Sequence, residues 1–133
     1  MLTAMRSTRL IFPVLLLLAF AGCAAQPDGN ASACASFAKL NNHWASIERD
    51  STVSESARLT FRHGYRTAID DLALHTSGDV KLRLTALVTA MPADATTMLL
   101  SGALTYDAYV SNSGLVADAC KAAGATIRLD TVR

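Results

Sequence analysis

The chain is short of almost everything from which catalysis is read. Its 133 residues contain no G-x-S-x-G or H-E-x-x-H motif and no Gly-rich phosphate loop, so the nucleophile-elbow, zinc-protease and nucleotide signatures are missing. An excess of one charge is missing too. Twelve basic residues face eleven acids, for a net charge of +1. A near-neutral chain offers no electrostatic footprint for nucleic acid, and no polybasic run is present to hold it at an anionic lipid surface. No apolar run reaches the ~20 residues that a membrane-spanning helix needs. No segment sustains an alternation of period two, which argues against a sheet. Thr126-Ile127-Arg128-Leu129 is the one β-like stretch, too short to build on. There are only three cysteines, Cys23, Cys34 and Cys120, an odd number that leaves one over if the others pair.

What is present begins at the N terminus. Arg6 and Arg9 precede an apolar stretch of about 12 residues, Leu10 to Ala21, and small residues follow, which is the layout of a signal peptide. Ala19-Phe20-Ala21 fits ordinary cleavage. The run Leu18-Ala19-Phe20-Ala21-Gly22-Cys23 resembles the lipobox of bacterial prolipoproteins, in which the cysteine is diacylated and becomes the first mature residue. Cysteine arithmetic favours the lipobox, because lipidation takes up Cys23 and leaves Cys34 and Cys120 to form a disulfide. The resemblance, to which the Ala-rich, Lys-poor composition adds a likeness to small actinobacterial lipoproteins, implies an envelope protein. It would be anchored by lipid to the outer face of the plasma membrane or the periplasmic side. The expected organisation is a signal peptide over residues 1–22, a lipidated Cys23 with a Pro/Gly-interrupted linker to residue 31, and one domain over 32–133. Without Arg6 and Arg9 the net charge becomes −1.

From Ser32 on the periodicity is helical. Phe37, Leu40, Trp44 and Ile47 make an apolar stripe on a first helix, about Ser32 to Arg49. A second runs from about Val53 to His75 with Phe61, Tyr65, Ala68 and Leu72 inward, and Thr52 with Glu55 forms a capping-box pattern ahead of it. Thr76-Ser77-Gly78 ends it, and Asp79 is placed to cap a third helix, about Val80 to Met91, with Val80, Leu84, Leu87 and Met91 inward and Pro92 as its stop. The fourth segment, about Ala93 to Ala123, carries Leu99, Ala103, Tyr106, Val110, Ser113, Ala117 and Cys120 in phase and ends at Gly124. The phase favours one long helix, with a kink plausible near Ser113-Gly114. A Cys34–Cys120 bridge requires the start of the first helix to meet the end of the last, as in an up-down bundle. The expected fold is all-α, a four-helix up-down bundle tied by one disulfide.

Side chains that carry chemistry are few. His43, His63 and His75 are dispersed, and Asp71 with His75 has a metal-compatible i, i+4 spacing but only two ligands, so no metal or cofactor is expected. Arg58, Arg62 and Arg66 fall four apart, a candidate anion-binding strip that like-charge repulsion disfavours unless acids such as Asp70, Asp107 or Asp118 compensate it. Leu100, Leu104 and Leu115 lie off the inward stripe of the last helix and form a candidate apolar partner face. The functional expectation is a lipid-anchored, non-enzymatic module binding a protein partner or a lipid-like ligand. The alternatives are an envelope hydrolase or its accessory subunit, and a purely structural spacer.

Overall fold

The computed structural model describes residues 29–93 and 103–132, with backbone alone for 103–105. Four helices lie among the described residues: α1 Gly29–Arg49, α2 Glu55–Leu74, α3 Gly78–Ala90 and α4 Ala103–Ala122. No strand is present among them. Each helix packs on the next and α4 returns to α1, which is the all-α bundle. Cys34 and Cys120 are disulfide-bonded with Cα atoms 5.8 Å apart, so the N-terminal end of α1 meets the C-terminal end of α4 and these two helices run antiparallel.

Local chemistry sets the boundaries. α1 starts at Gly29, three residues ahead of Ser32 and inside the stretch expected to be linker. Asn30 Oδ1 accepts a hydrogen bond from Ser77 N at 3.0 Å, tying this first turn to the α2–α3 connection. A Cβ on Gly29 would sit 2.8 Å from the His75 carbonyl oxygen, so the close approach depends on glycine. The cap of α2 is Ser54, whose Oγ accepts from Ala57 N at 3.3 Å. Thr52 does not take that role, because its hydroxyl and amide both bond Asp50 Oδ1. Ser77 rather than Asp79 precedes α3. Asp79 sits in the first turn, where it pairs with Arg83 at 3.4 Å and faces the positive end of the helix dipole. Met91 ends α3 ahead of Pro92, as expected. α4 closes in a Schellman motif: Gly124 N bonds Lys121 O at 3.0 Å and Ala125 N bonds Cys120 O at 2.8 Å, with Gly124 at φ +87°. Residues 94–102 lie outside the described residues, and with them the first part of the long fourth helix and its Leu99.

The core holds Phe37 and Trp44 from α1, Tyr65 and Ile69 from α2, Val80, Leu84 and Leu87 from α3, and Val116 from α4, all fully buried. The α3 stripe lies where its sequence pattern put it. On α2 the buried face is turned slightly, with Tyr65, Ile69 and Ala73 innermost and Phe61 and Leu72 at its edge. On α4, Tyr106, Ser113 and Cys120 are buried as expected, but Tyr109, Val116 and Ala119 complete the face while Val110 is 38% exposed.

After Gly124 the chain turns back and runs extended from Ala125 to Val132 between α4 and α1. Ala125, Ile127, Leu129 and Val132 pack on the core, with exposed residues between them. The β-like stretch of the sequence is thus an extended strap laid on helices.

Candidate functional site

The strap is held by two adjacent asparagines in mid-α1. Asn42 Nδ2 donates to Arg128 O at 3.0 Å, and Asn42 Oδ1 accepts from Asp130 N at 2.8 Å. Its carboxamide thus pairs with the extended backbone as a neighbouring strand would. Asn41 Nδ2 donates to Asp130 O at 2.9 Å and to Asn42 Oδ1 at 3.0 Å. Farther along, Val132 N donates to the Tyr106 hydroxyl at 2.7 Å, and Arg49 pairs with Asp130 at 3.5 Å.

The direction of the protons in this network follows from Asn41. Both its amide protons are given away, so its Oδ1 accepts, and it does so from Tyr109 OH at 2.7 Å. Tyr109 has spent its one proton, so the hydroxyl of Tyr65, bonded to that of Tyr109, donates to it. A continuous chain of donors therefore runs from Tyr65 in α2 through Tyr109 in α4 and Asn41 in α1 to the strap. Burial pushes the Tyr65 phenol well above its ordinary value, and proximity to Tyr109 adds to the rise. Burial likewise raises Tyr109 to about 12.

Trp44 is the hinge between this network and a second. Its ring packs on Tyr65 at 4.8 Å and edge-on to Tyr109 at 5.1 Å, and its Nε1 donates to Glu48 Oε1 at 3.1 Å. Glu48 also receives Arg62 through both Nε and a terminal nitrogen, a bidentate pair with side chains only 5% and 11% exposed. Arg62 reaches Glu55 at 3.2 Å as well. The hydrogen bond to Glu48 raises the Arg62 guanidinium above its ordinary value against the opposing effect of burial.

Where the strap leaves Asn41, it walls a pocket of about 170 Å³ against α1 and α4. Trp44, Tyr106, Tyr109 and Ser113 line the helical side, and Leu129 and Val132 the strap side. Ser113 is 4% exposed, and its Oγ is a buried polar atom without a hydrogen-bond partner. This is a concave, aromatic-walled site with a single orphan hydroxyl.

The structure gives each arginine of the candidate anion strip a protein partner. Arg58 bonds Asp50 O and approaches Glu55 at 3.9 Å, Arg62 holds Glu48 and Glu55, and Arg66 Nε donates to Val88 O at 3.1 Å. Compensation of the row thus comes from Glu48 and Glu55, upstream of it, and from carbonyl oxygens. Of the candidate apolar face, Leu115 is 42% exposed. Leu100 and the side chain of Leu104 lie outside the described residues, as does Cys23. His43 is exposed and meets Phe61 edge-on at 5.1 Å, His63 is exposed, and His75 caps α2. No three His, Cys, Asp or Glu side chains converge on a metal-sized point among the described residues.

The strap, its asparagine clamp and the pocket were not anticipated from sequence. Two signals were there: Ala125, Ile127 and Leu129 alternate, and Asn41-Asn42 places two poor helix formers in the middle of a helical stripe. No protein family, no curated protein and no solved structure matches this chain.

Proposed function

We propose that the protein is a lipid-anchored envelope module, tethered through Cys23, that binds a small apolar ligand in the strap-walled pocket. The observation that carries this reading is the pocket itself. It is built where three aromatic side chains, a buried unpaired hydroxyl and a clamped extended segment converge, and small-molecule sites take this form: apolar walls with few polar groups. The lipid-like ligand of the sequence reading is here narrowed by volume, since about 170 Å³ is too little for a whole membrane lipid. Among the described residues no acid–base set converges on the pocket, which favours binding over hydrolysis. Only Asp130 among its lining residues carries a charge, and its carboxylate is paired with Arg49. The anchor rests on the resemblance of Leu18–Cys23 to a lipobox. Two acyl chains on Cys23 give stable membrane attachment where one is marginal.

Two measurements test the reading. Intact mass of the mature chain should show a diacylglyceryl adduct on Cys23, and Cys23→Ser should release the protein from the membrane fraction. Ligand-observed NMR against a set of small aromatic and aliphatic probes should show saturation transfer to the aromatic ones. An unmodified N terminus defeats the anchor, and a protein that takes up none of the probes defeats the pocket.

A further inference from the structure

We propose that the ligand class is an uncharged molecule of one-ring size bearing a single hydrogen-bonding group, phenol being the simplest example, with that group bonded to Ser113. The inference rests on the reading of the strap-walled pocket as the binding site. Size comes first. An apolar cavity of about 150 Å³ takes up benzene, so about 170 Å³ accommodates one ring with a substituent and excludes fused polycycles. The walls come second. Trp44 and Tyr109 meet edge-to-face at 5.1 Å, and Tyr106 stacks on Tyr109 at 6.4 Å, which places a further ring within reach of the offset or edge-on contacts that aromatic pairs favour.

Charge decides against ions. Among the described residues no basic side chain lines the pocket, and the acid there, Asp130, is held by Arg49 at 3.5 Å. An anion would meet a carboxylate and, among those residues, no counter-ion. A cation would find the carboxylate already paired with Arg49 and two of the three aromatic walls, Trp44 and Tyr109, already packed on each other and on Tyr65.

The polar group follows from Ser113. Its Oγ makes no hydrogen bond of normal geometry, and its polar neighbour is the Tyr109 hydroxyl, whose phenol burial pushes up and Ser113 draws down, so turning breaks no well-formed bond. A step about χ1 between staggered wells presents it to whatever fills the pocket. A buried hydroxyl left unpaired is unfavourable, and a ligand that bonds it removes that penalty. The residue is therefore unfavourable to the empty protein and favourable to the loaded one, which gives the test two signs.

Isothermal titration of the purified full-length chain with phenol, toluene, benzoate and tetramethylammonium makes the comparison. Phenol should bind roughly two- to tenfold more tightly than toluene, the worth of one net hydrogen bond, and the two ions should not bind. Ser113→Ala should bring phenol down to the toluene affinity while raising the melting temperature of the empty protein. A variant that merely damages the fold moves both the same way. Gly114→Phe should abolish phenol binding, because a Cβ at Gly114 meets no atom within 4 Å and the new ring can enter the pocket without displacing the helix. If no probe binds, the pocket reading falls and this inference with it. If toluene equals phenol, or Ser113→Ala leaves phenol affinity unchanged, the hydrogen-bonding class is wrong while the apolar pocket stands. Tightest binding by tetramethylammonium overturns neutrality, and phenol binding that survives Gly114→Phe places it elsewhere and overturns the assignment.

Discussion

Replacing Asn41 by alanine separates the strap clamp from ordinary core packing. Asn41 is 2% exposed and makes three hydrogen bonds: to Asp130 O, to Asn42 Oδ1 and from Tyr109 OH. The bond to Asn42 is replaceable, since Asn42 is half-exposed and water reaches it. The bond to Asp130 O holds the strap and contributes about 0.5–1.5 kcal/mol. The largest loss is at Tyr109. Its hydroxyl is buried and would keep its acceptance from Tyr65 but have only the poorly placed Ser113 Oγ to donate to, a penalty of about 1–3 kcal/mol for an under-satisfied group. Asn41→Ala should therefore cost about 2–4 kcal/mol in urea unfolding followed at 222 nm. Asn42→Ala should cost about 1 kcal/mol, because its strap bonds are exposed. Hydrogen exchange adds the local reading: the Asp130 amide, which donates to Asn42, should lose protection in Asn42→Ala while the core amides of α3 keep theirs. Tyr109→Phe made on top of Asn41→Ala should recover part of the loss, since it removes the under-satisfied donor. Equal costs for the two asparagines, or no recovery with phenylalanine, would refute the assigned proton directions.

Alkaline pH tests the same network from its other end. Tyr65 and Tyr109 are raised when folded, so both states are protonated below about pH 10, the unfolded chain ionises first above it, and stability falls between pH 10 and about 12. Tyr109 alone contributes about 2–3 kcal/mol of that fall, and their tyrosinate absorbance at 295 nm should rise together with loss of helical signal rather than before it. Cys34→Ser and Cys120→Ser should each destabilise by the same amount, about 4.5 kcal/mol by the chain-entropy model for an 86-residue separation. The double variant should add nothing, and additive losses in a denaturant series would deny the bond. Arg62→Ala strands the buried Glu48 carboxylate and should cost about 3–5 kcal/mol. Adding Glu48→Gln, which keeps an acceptor for Trp44 Nε1 without the charge, should restore a large part, and a double variant no better than Arg62→Ala would show that charge burial is not the cause.

How far the fold could be read from the chain depended on whether the deciding contact was local. Val80, Leu84, Leu87 and Met91 follow one stripe of a short helix and its cap, and all four are buried while Leu82 on another side is exposed. α4 gave a weaker signal because apolar residues continue on both sides of its buried face, among them Val110 and Leu115, before the polar side of Asp107 and Asp118 is reached. Val110 and Ala117 satisfy the 3–4 spacing as well as Tyr109 and Val116 do, and only the neighbouring rings of Trp44 and Tyr65 select the second set. Ser54 displaced Thr52 as the cap of α2 because Asp50 had already engaged Thr52, a competition among three residues that a motif match ignores. Glu48 and Arg62, 14 residues apart on different helices, needed the bundle geometry to be recognised as a pair. The pocket could not be read at all. It exists because Asn41 and Asn42 reach residues 86 to 89 positions away, and no local pattern encodes that reach.

The strap also sets an order of events as the chain is made. Helices close through contacts a few residues apart and form early, within the time that the ribosome takes to add a few more amino acids. Asn41 and Asn42 emerge early as well, but their acceptors and donor at Arg128 and Asp130 appear only 86 to 89 residues later. Until then the Tyr109 proton has an acceptor in Asn41, while the amide protons of Asn41 and the groove between α1 and α4 face water. A chain halted between Gly124 and Arg128 would carry all four helices but an open seam and no pocket wall. The seam closes, and the pocket gains its wall, only once residues 128 to 132 are in place.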